Sequence, residues 1–160
     1  SRGLVGSEMC IRDREIAILG LGCFWGPEIK FSKLDGIIKT EVGYCGGHNS
    51  ETNYKEVCTG TTNHAEVVKL DFDPKIISYE KILEYFFEIH DPTTLNSQGP
   101  DFGTQYRSEI FYLNNQQKII AEEMVEKMNI KLSGRVVTKI SLVKNYCPAE
   151  EYHQRYLEKR

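Results

Sequence analysis

The chain predicts an α/β fold, an α+β sandwich of two layers. Its mixed sheet has split-βαβ, ferredoxin-like topology, extended by one added strand and a C-terminal helix. Two observations carry this. Apolar runs of strand length alternate with stretches of helical period in the order βαβ, βαβ, α, β. The 160 residues suit one domain, since a chain of that size buries roughly 70% of its unfolded surface.

Each element has its own signal. Glu15–Leu21 is short and almost wholly apolar, as in a strand buried on both faces. A helix begins near Trp25, where Pro27 pins the first turn because its missing N–H would lack a partner there anyway. Residues 37–44 alternate around β-favouring side chains and stop at Gly46 and Gly47. A polar loop runs to Asn53, Tyr54–Cys58 makes a helical turn, and Ala65–Phe72 alternates as a third strand ended by Asp73-Pro74. Ser78 caps a helix running to Ile89 that buries Ile82, Leu83, Phe86 and Ile89. After a long loop, 91–103, a fourth strand spans 104–113. Asn114 with Gln117 resembles a capping box for a helix ending near Gly134; a fifth strand covers 136–143, and Pro148 opens a last short helix. Residues 1–14 show no period and read as a disordered or non-native tail, leaving 15–160 as a single domain.

Charge and cysteine usage narrow the classes. The net charge is −3 with both signs interspersed, so no basic stripe points to nucleic acid and no polybasic segment to a membrane. No segment has the length of a transmembrane helix, and the N-terminus lacks the apolar core of a secretion signal. A cytoplasmic protein is therefore expected, acting as a monomer, and its five cysteines without framework spacing read as reduced thiols with one catalytic pair among them at most.

The topology has a geometric consequence. Strand three lies antiparallel between strands one and two, and strand four antiparallel on the other side of strand one. The C-terminal ends of strands one and two then share an edge with the N-terminal ends of three and four. Cys23, Cys45, Glu66 and Tyr106 should converge there, with the 91–103 loop entering the same edge.

Cys23 precedes a helix opening, where the positive helix end favours thiolate over thiol, and Phe24 and Trp25 supply an apolar wall. Pro27 and Trp25 outweigh the alternative of a buried core cysteine. Glu66 shares a strand face with Val68, Leu70 and Phe72, so burial should raise its pKa and let it protonate a substrate oxygen. The competing reading is an edge glutamate capped by solvent. Tyr54 and Tyr106 can donate hydrogen bonds without adding charge, although nine tyrosines make chance placement common. Asp101, in Gly99-Pro100-Asp101-Phe102-Gly103, could orient a water or the acid, or simply serve the turn. Cys45 and His48, followed by Cys58 and His64, are too irregular for a structural zinc site, so no metal is expected. His90 and His153 read as structural.

Seven motifs occur in order: Gly22-Cys23-Phe24-Trp25, Gly43-Tyr44-Cys45-Gly46-Gly47, Val57-Cys58-Thr59-Gly60, His64-Ala65-Glu66, His90-Asp91-Pro92, Gly103-Thr104-Gln105-Tyr106-Arg107-Ser108 and Ala149-Glu150-Glu151-Tyr152-His153-Gln154. Over residues 15–160 the chain resembles the peptide methionine sulfoxide reductase A family. The resemblance implies reduction of methionine-S-sulfoxide, free and in proteins, with thioredoxin as electron donor and no bound cofactor. It makes Cys23 the nucleophile, Glu66 the proton donor, Tyr54 and Tyr106 donors to the sulfoxide oxygen, and Asp101 part of the polar network. Phe24 and Trp25 hold the substrate methyl. A sulfenic acid on Cys23 would be condensed by a second thiol to a disulfide that thioredoxin opens.

Three positions depart from the family pattern: Cys45 stands where alanine is common, Asn63 where glycine is common, and no glycine-rich, cysteine-containing tail follows the last helix. Cys147 is the first choice of resolving thiol, in a mobile connection before that helix. Cys45 is the rival, but strand three separates it from Cys23 by roughly 9 to 10 Å between strands, against the ~7 Å between Cα atoms that a disulfide allows. Cys58 reads as a buried structural thiol. A thiol peroxidase is the alternative enzyme, disfavoured by an aromatic wall that peroxide does not need; a ferredoxin-like zinc or binding module is the alternative without chemistry.

Overall fold

A computed structural model describes residues 14–159. Alternation builds the sheet. In β1 (Glu15–Leu21), Ala17, Leu19 and Leu21 enter the main core, while Ile16 and Ile18 enter a smaller cluster on the opposite face. After helix α1 (Trp25–Ser32), β2 (Ile37–Cys45) divides its side chains in the same way. Helix α2 (Tyr54–Cys58) precedes β3 (Ala65–Phe72), which sends Val68, Leu70 and Phe72 to the main core and Ala65 and Val67 to the other face. Helix α3 (Tyr79–Glu88) follows, capped by Ser78, whose side chain accepts the Lys81 N–H at 3.1 Å.

β3 pairs antiparallel with both β1 and β2, as the topology predicts. Two short strands, β4 (Ser97–Gln98) and β5 (Asp101–Phe102), pair with each other, so the 91–103 loop contains a small hairpin. β6 (Ser108–Tyr112) lies antiparallel on the free edge of β1. Helix α4 (Asn115–Lys131) starts at Asn114, which accepts the Gln117 N–H, while Gln117 reaches back to the Leu113 N–H, both at 2.9 Å. β7 (Lys139–Leu142) then adds parallel to β6. Buried residues of α1, α3 and α4 (Phe31, Phe86 and Met124 among them) fill the main core, which lies on one face of the sheet.

Four boundaries differ from expectation. The fourth strand begins at Ser108 because Thr104–Tyr106 is a 3-10 turn, closed by the Tyr106 N–H on the Gly103 carbonyl at 3.0 Å. The fifth strand is shorter than 136–143. Pro148 opens no helix. Asn145, at φ 51°, turns the chain back so that β8 (Cys147–Pro148) pairs with Gly43 and Tyr44, completing the order β7-β6-β1-β3-β2-β8. Only a 3-10 turn, Glu151–His153, follows. Arg14 pairs with Asp71 at 2.9 Å and so belongs with the domain, whereas the rest of the expected tail, with Cys10, lies outside the described residues.

Candidate active site

The chain turns sharply after β1. Gly22 has φ 97°, and a Cβ there would stand 2.8 Å from Gln98 Cβ, so the hairpin closes directly on the residue before Cys23. α1 then begins at Trp25, with Pro27 in its first turn. The Trp25 backbone N–H favours the Cys23 thiolate, as expected of a helix start, but it is outweighed. Burial, and then the negative charges of Glu66 and Asp101, push the thiol up to about 11. The expected thiolate is therefore corrected to a protonated thiol in the free protein.

Glu66 is the second residue of β3 and is 1% exposed on the main-core face. Oε1 accepts the Phe24 N–H at 3.3 Å, and Oε2 is buried with no partner. Burial pushes its pKa up to about 8 against the Phe24 N–H, and Asp101 adds to the rise. At neutral pH the group is mainly an uncharged acid with one oxygen free. The reading of a solvent-capped glutamate is removed.

Asn53 caps α2 by accepting the Glu56 N–H at 2.9 Å, which places Tyr54 at the helix start. Glu150 anchors that start: it accepts the Tyr54 backbone N–H at 2.9 Å and the Tyr44 hydroxyl at 2.8 Å. Burial raises both Tyr54 and Tyr106, the latter to about 12 with Glu66 contributing, so both hydroxyls remain donors across physiological pH. Tyr54 also interacts with Tyr106 and Cys58. Asp101, on β5, acts on Cys23 and Glu66 through its charge.

Phe24 is buried and Trp25 half-buried. The Trp25 ring stacks on Tyr156 with centroids 3.9 Å apart and planes at 13°, and its indole N–H donates to His153 Nδ1 at 3.1 Å. An indole can only donate, so Nδ1 is unprotonated and the proton of the neutral ring is assigned to Nε2. That nitrogen has no partner, and burial lowers the ring's pKa. The His153 ring lies 5.3 Å from Phe24 and 4.7 Å from Tyr54. The segment is clamped to β2 by Gln154, which bonds both the Val42 N–H and carbonyl at 2.9 Å. His153, Glu150 and Tyr156 were not legible as site residues. The available signal was the donor of a partly buried tryptophan, which needs an acceptor.

The thiols separate. Cys45 reaches the shared edge by its backbone alone: its side chain faces the second cluster, donates to the Lys144 carbonyl at 3.3 Å, and has the sheet between it and the Glu66 side. Burial pushes this thiol, too, up to about 11. Cys147 stands opposite Tyr44 on β8, three strand spacings from β1, about 14 Å. Cys58 is exposed and not buried as expected, because α2 turns Val57 inward and leaves Cys58 one turn beyond Tyr54. Among the described residues no group of three or more His, Cys, Asp or Glu side chains could hold a metal. The Cys45–His48 spacing divides between a buried thiol and an exposed ring.

A thiol, a buried neutral acid, two phenol donors and an aromatic wall on a mixed sheet define a thiol-dependent oxidoreductase. The family model described as peptide methionine sulfoxide reductase matches residues 15–160, and the chain belongs to that family. It is 82% identical over 146 residues to the peptide methionine sulfoxide reductase MsrA of Pelagibacter ubique (strain HTCC1062), a match covering 91% of this chain and 99% of that one. Mxr1 from Saccharomyces cerevisiae in its reduced form superposes with a TM-score of 0.89 at 40% identity, over 93% of this chain and 87% of that one. The same yeast protein in complex with Trx2 gives 0.66 at 26% identity, over 91% and 86%.

Proposed function

We propose that Cys23 reduces methionine-S-sulfoxide, free and in proteins, with Glu66 as the acid. The observation that carries this reading is the unpartnered Oε2 of a buried, neutral Glu66 whose other oxygen is held by the residue next to Cys23. Glu66 gives its proton to the sulfoxide oxygen, hydrogen-bonded by Tyr54 and Tyr106, which makes the substrate sulfur electrophilic. The Glu66 carboxylate then accepts the Cys23 proton as the Cys23 sulfur attacks. Methionine leaves and the oxygen remains on Cys23 as a sulfenic acid; one sulfur is reduced and the other oxidised, with no external reductant in this step. Trp25, backed by Tyr156, offers one ring face to the substrate methyl.

Recycling takes two steps: a second thiol condenses with the sulfenic acid and releases water, and a dithiol donor opens the resulting disulfide and restores both thiols. Thioredoxin is the proposed donor, supported by the complex of the related yeast protein with Trx2. Cys147 remains the proposed resolving thiol; because β8 is only two residues long, its release costs few backbone hydrogen bonds. The four free cysteines among the described residues suit a reducing, cytoplasmic setting and a role in repair of oxidised proteins. Turnover of the separated sulfoxide epimers with dithiothreitol tests the reading. Only the S epimer should react; equal rates with both would overturn it, as would a preference for hydrogen peroxide as oxidant.

A further inference from the structure

The Arg107 side chain lies on the face of the sheet opposite Glu66, and none of the chemistry above uses it. It is 7% exposed. Its Nε donates to Glu109 Oε1 at 2.6 Å, and Glu109 Oε2 accepts the Ser141 hydroxyl at 2.6 Å, so the buried cation is paired and its partner is held from β7. The other two nitrogens donate to main-chain carbonyls: Nη1 to Thr104 at 2.8 Å and Nη2 to Asn63 at 3.0 Å.

These two carbonyls belong to different parts of the site. Thr104 opens the 3-10 turn that carries Tyr106. Asn63, at φ 59°, precedes β3 by two residues and Glu66 by three. Between β6 and β3 lies β1, which on this face presents Gly20, two residues from the inward Ile18, and so no side chain. A Cβ on Gly46 would stand 2.7 Å from the Phe111 ring and 3.3 Å from Arg107 Nη2, so glycine there leaves room for the guanidinium.

We infer that Arg107 is a positioning residue for the reduction: by bonding the Thr104 and Asn63 carbonyls together it sets the Tyr106 hydroxyl against the Glu66 carboxyl. A planar fork with donors at fixed angles can hold two carbonyls and a carboxylate at once, whereas a lysine ammonium on a flexible stem cannot reproduce that geometry. The inference rests on the proposed roles of Glu66 and Tyr106.

The test is a double-mutant cycle on the single-turnover rate of sulfenic acid formation, with thermal unfolding of every variant. Arg107→Lys should lower the rate roughly 10- to 100-fold, the range set by small misplacements of catalytic groups, and should add nothing in a Tyr106→Phe background. Glu109→Gln, which weakens the buried pair but keeps both carbonyl bonds, should lower the unfolding temperature while sparing the rate. Equal losses from Arg107→Lys in both backgrounds would overturn the inference, as would an unchanged rate in the parent protein. If Arg107→Lys does not fold, Arg107→Gln takes its place in the cycle with the same expected and overturning results, and Glu109→Gln remains the control: a rate loss there equal to that of the Arg107 variant refutes the tie. An unaffected Tyr106→Phe variant would also overturn it, while loss of activity in Cys23→Ser would leave the underlying reaction standing.

Discussion

Glu66 and Phe24 are joined by a single hydrogen bond across 42 positions of sequence, from the Phe24 N–H to Glu66 Oε1 at 3.3 Å. That bond holds the acid against the helix start beside Cys23 and leaves Oε2 without a protein partner. One N–H does not compensate the burial, so the carboxyl keeps its proton at neutral pH.

Glu66→Gln should slow single-turnover sulfenic acid formation by about 10²- to 10⁴-fold, the usual worth of a general acid. The acid must be protonated to act, so in the parent protein the rate should be full well below about pH 8 and fall as pH rises through it. The variant should lose that limb. A rate profile that is flat between pH 6 and 10 in the parent protein would remove Glu66 as the donor.

Cys23→Ser should abolish reduction with any reductant, since a serine hydroxyl is a weak nucleophile here. Oxidising the protein with one equivalent of substrate and mapping disulfides by peptide mass spectrometry should reveal a Cys23–Cys147 bond. It requires β8 to leave β2, because about 14 Å separates the strands and a disulfide tolerates ~7 Å between Cα atoms. A bond to the exposed Cys58 would displace Cys147, and a persistent sulfenic acid would assign recycling to an external thiol.

His153→Phe should remove the acceptor of the Trp25 indole N–H and raise KM for methionine sulfoxide by roughly 2- to 10-fold, the worth of one hydrogen bond of about 0.5 to 1.5 kcal/mol. Trp25 is the only tryptophan in the sequence, so its fluorescence reports directly on the wall. Unchanged emission and unchanged KM would show that Tyr156 alone positions the ring.

His90 should make stability depend on pH. Its Nδ1–H donates to the Phe86 carbonyl at 2.5 Å, and its Nε2 accepts from Ser108 Oγ at 2.7 Å. Burial lowers its pKa to about 4. The neutral ring is the folded form, so its contribution is fully present above about pH 6.5 and is lost as pH falls toward 4, up to about 3 kcal/mol. Urea unfolding of the parent protein and His90→Gln from pH 4 to 8 checks this; parallel curves would refute it.

Much of the sheet was legible because strands and turns obey local rules. The apolar run of Glu15–Leu21 and the alternation of Ala65–Phe72 reflect a two-residue side-chain period, and their pairing is that of the split-βαβ topology which the alternation of strands and helices implies. Asn63 does adopt the left-handed conformation expected of a residue in a glycine position. β8 escaped notice because two residues carry no period; what makes them a strand is the partner, Gly43 and Tyr44, about a hundred residues earlier.

By itself the sequence determined β1, β2 and β3 and the residue types near their ends, since these depend on neighbours a few positions away. Only the tertiary structure decided what those residues are. Burial by remote elements overrode the helix start at Cys23 and kept its proton, and the face taken by β2 turned Cys45 away from the site. His153 reached Trp25 across 128 positions of sequence. Desolvation and long-range hydrogen bonds depend on everything that surrounds a group, and that surrounding exists only once distant segments have packed together.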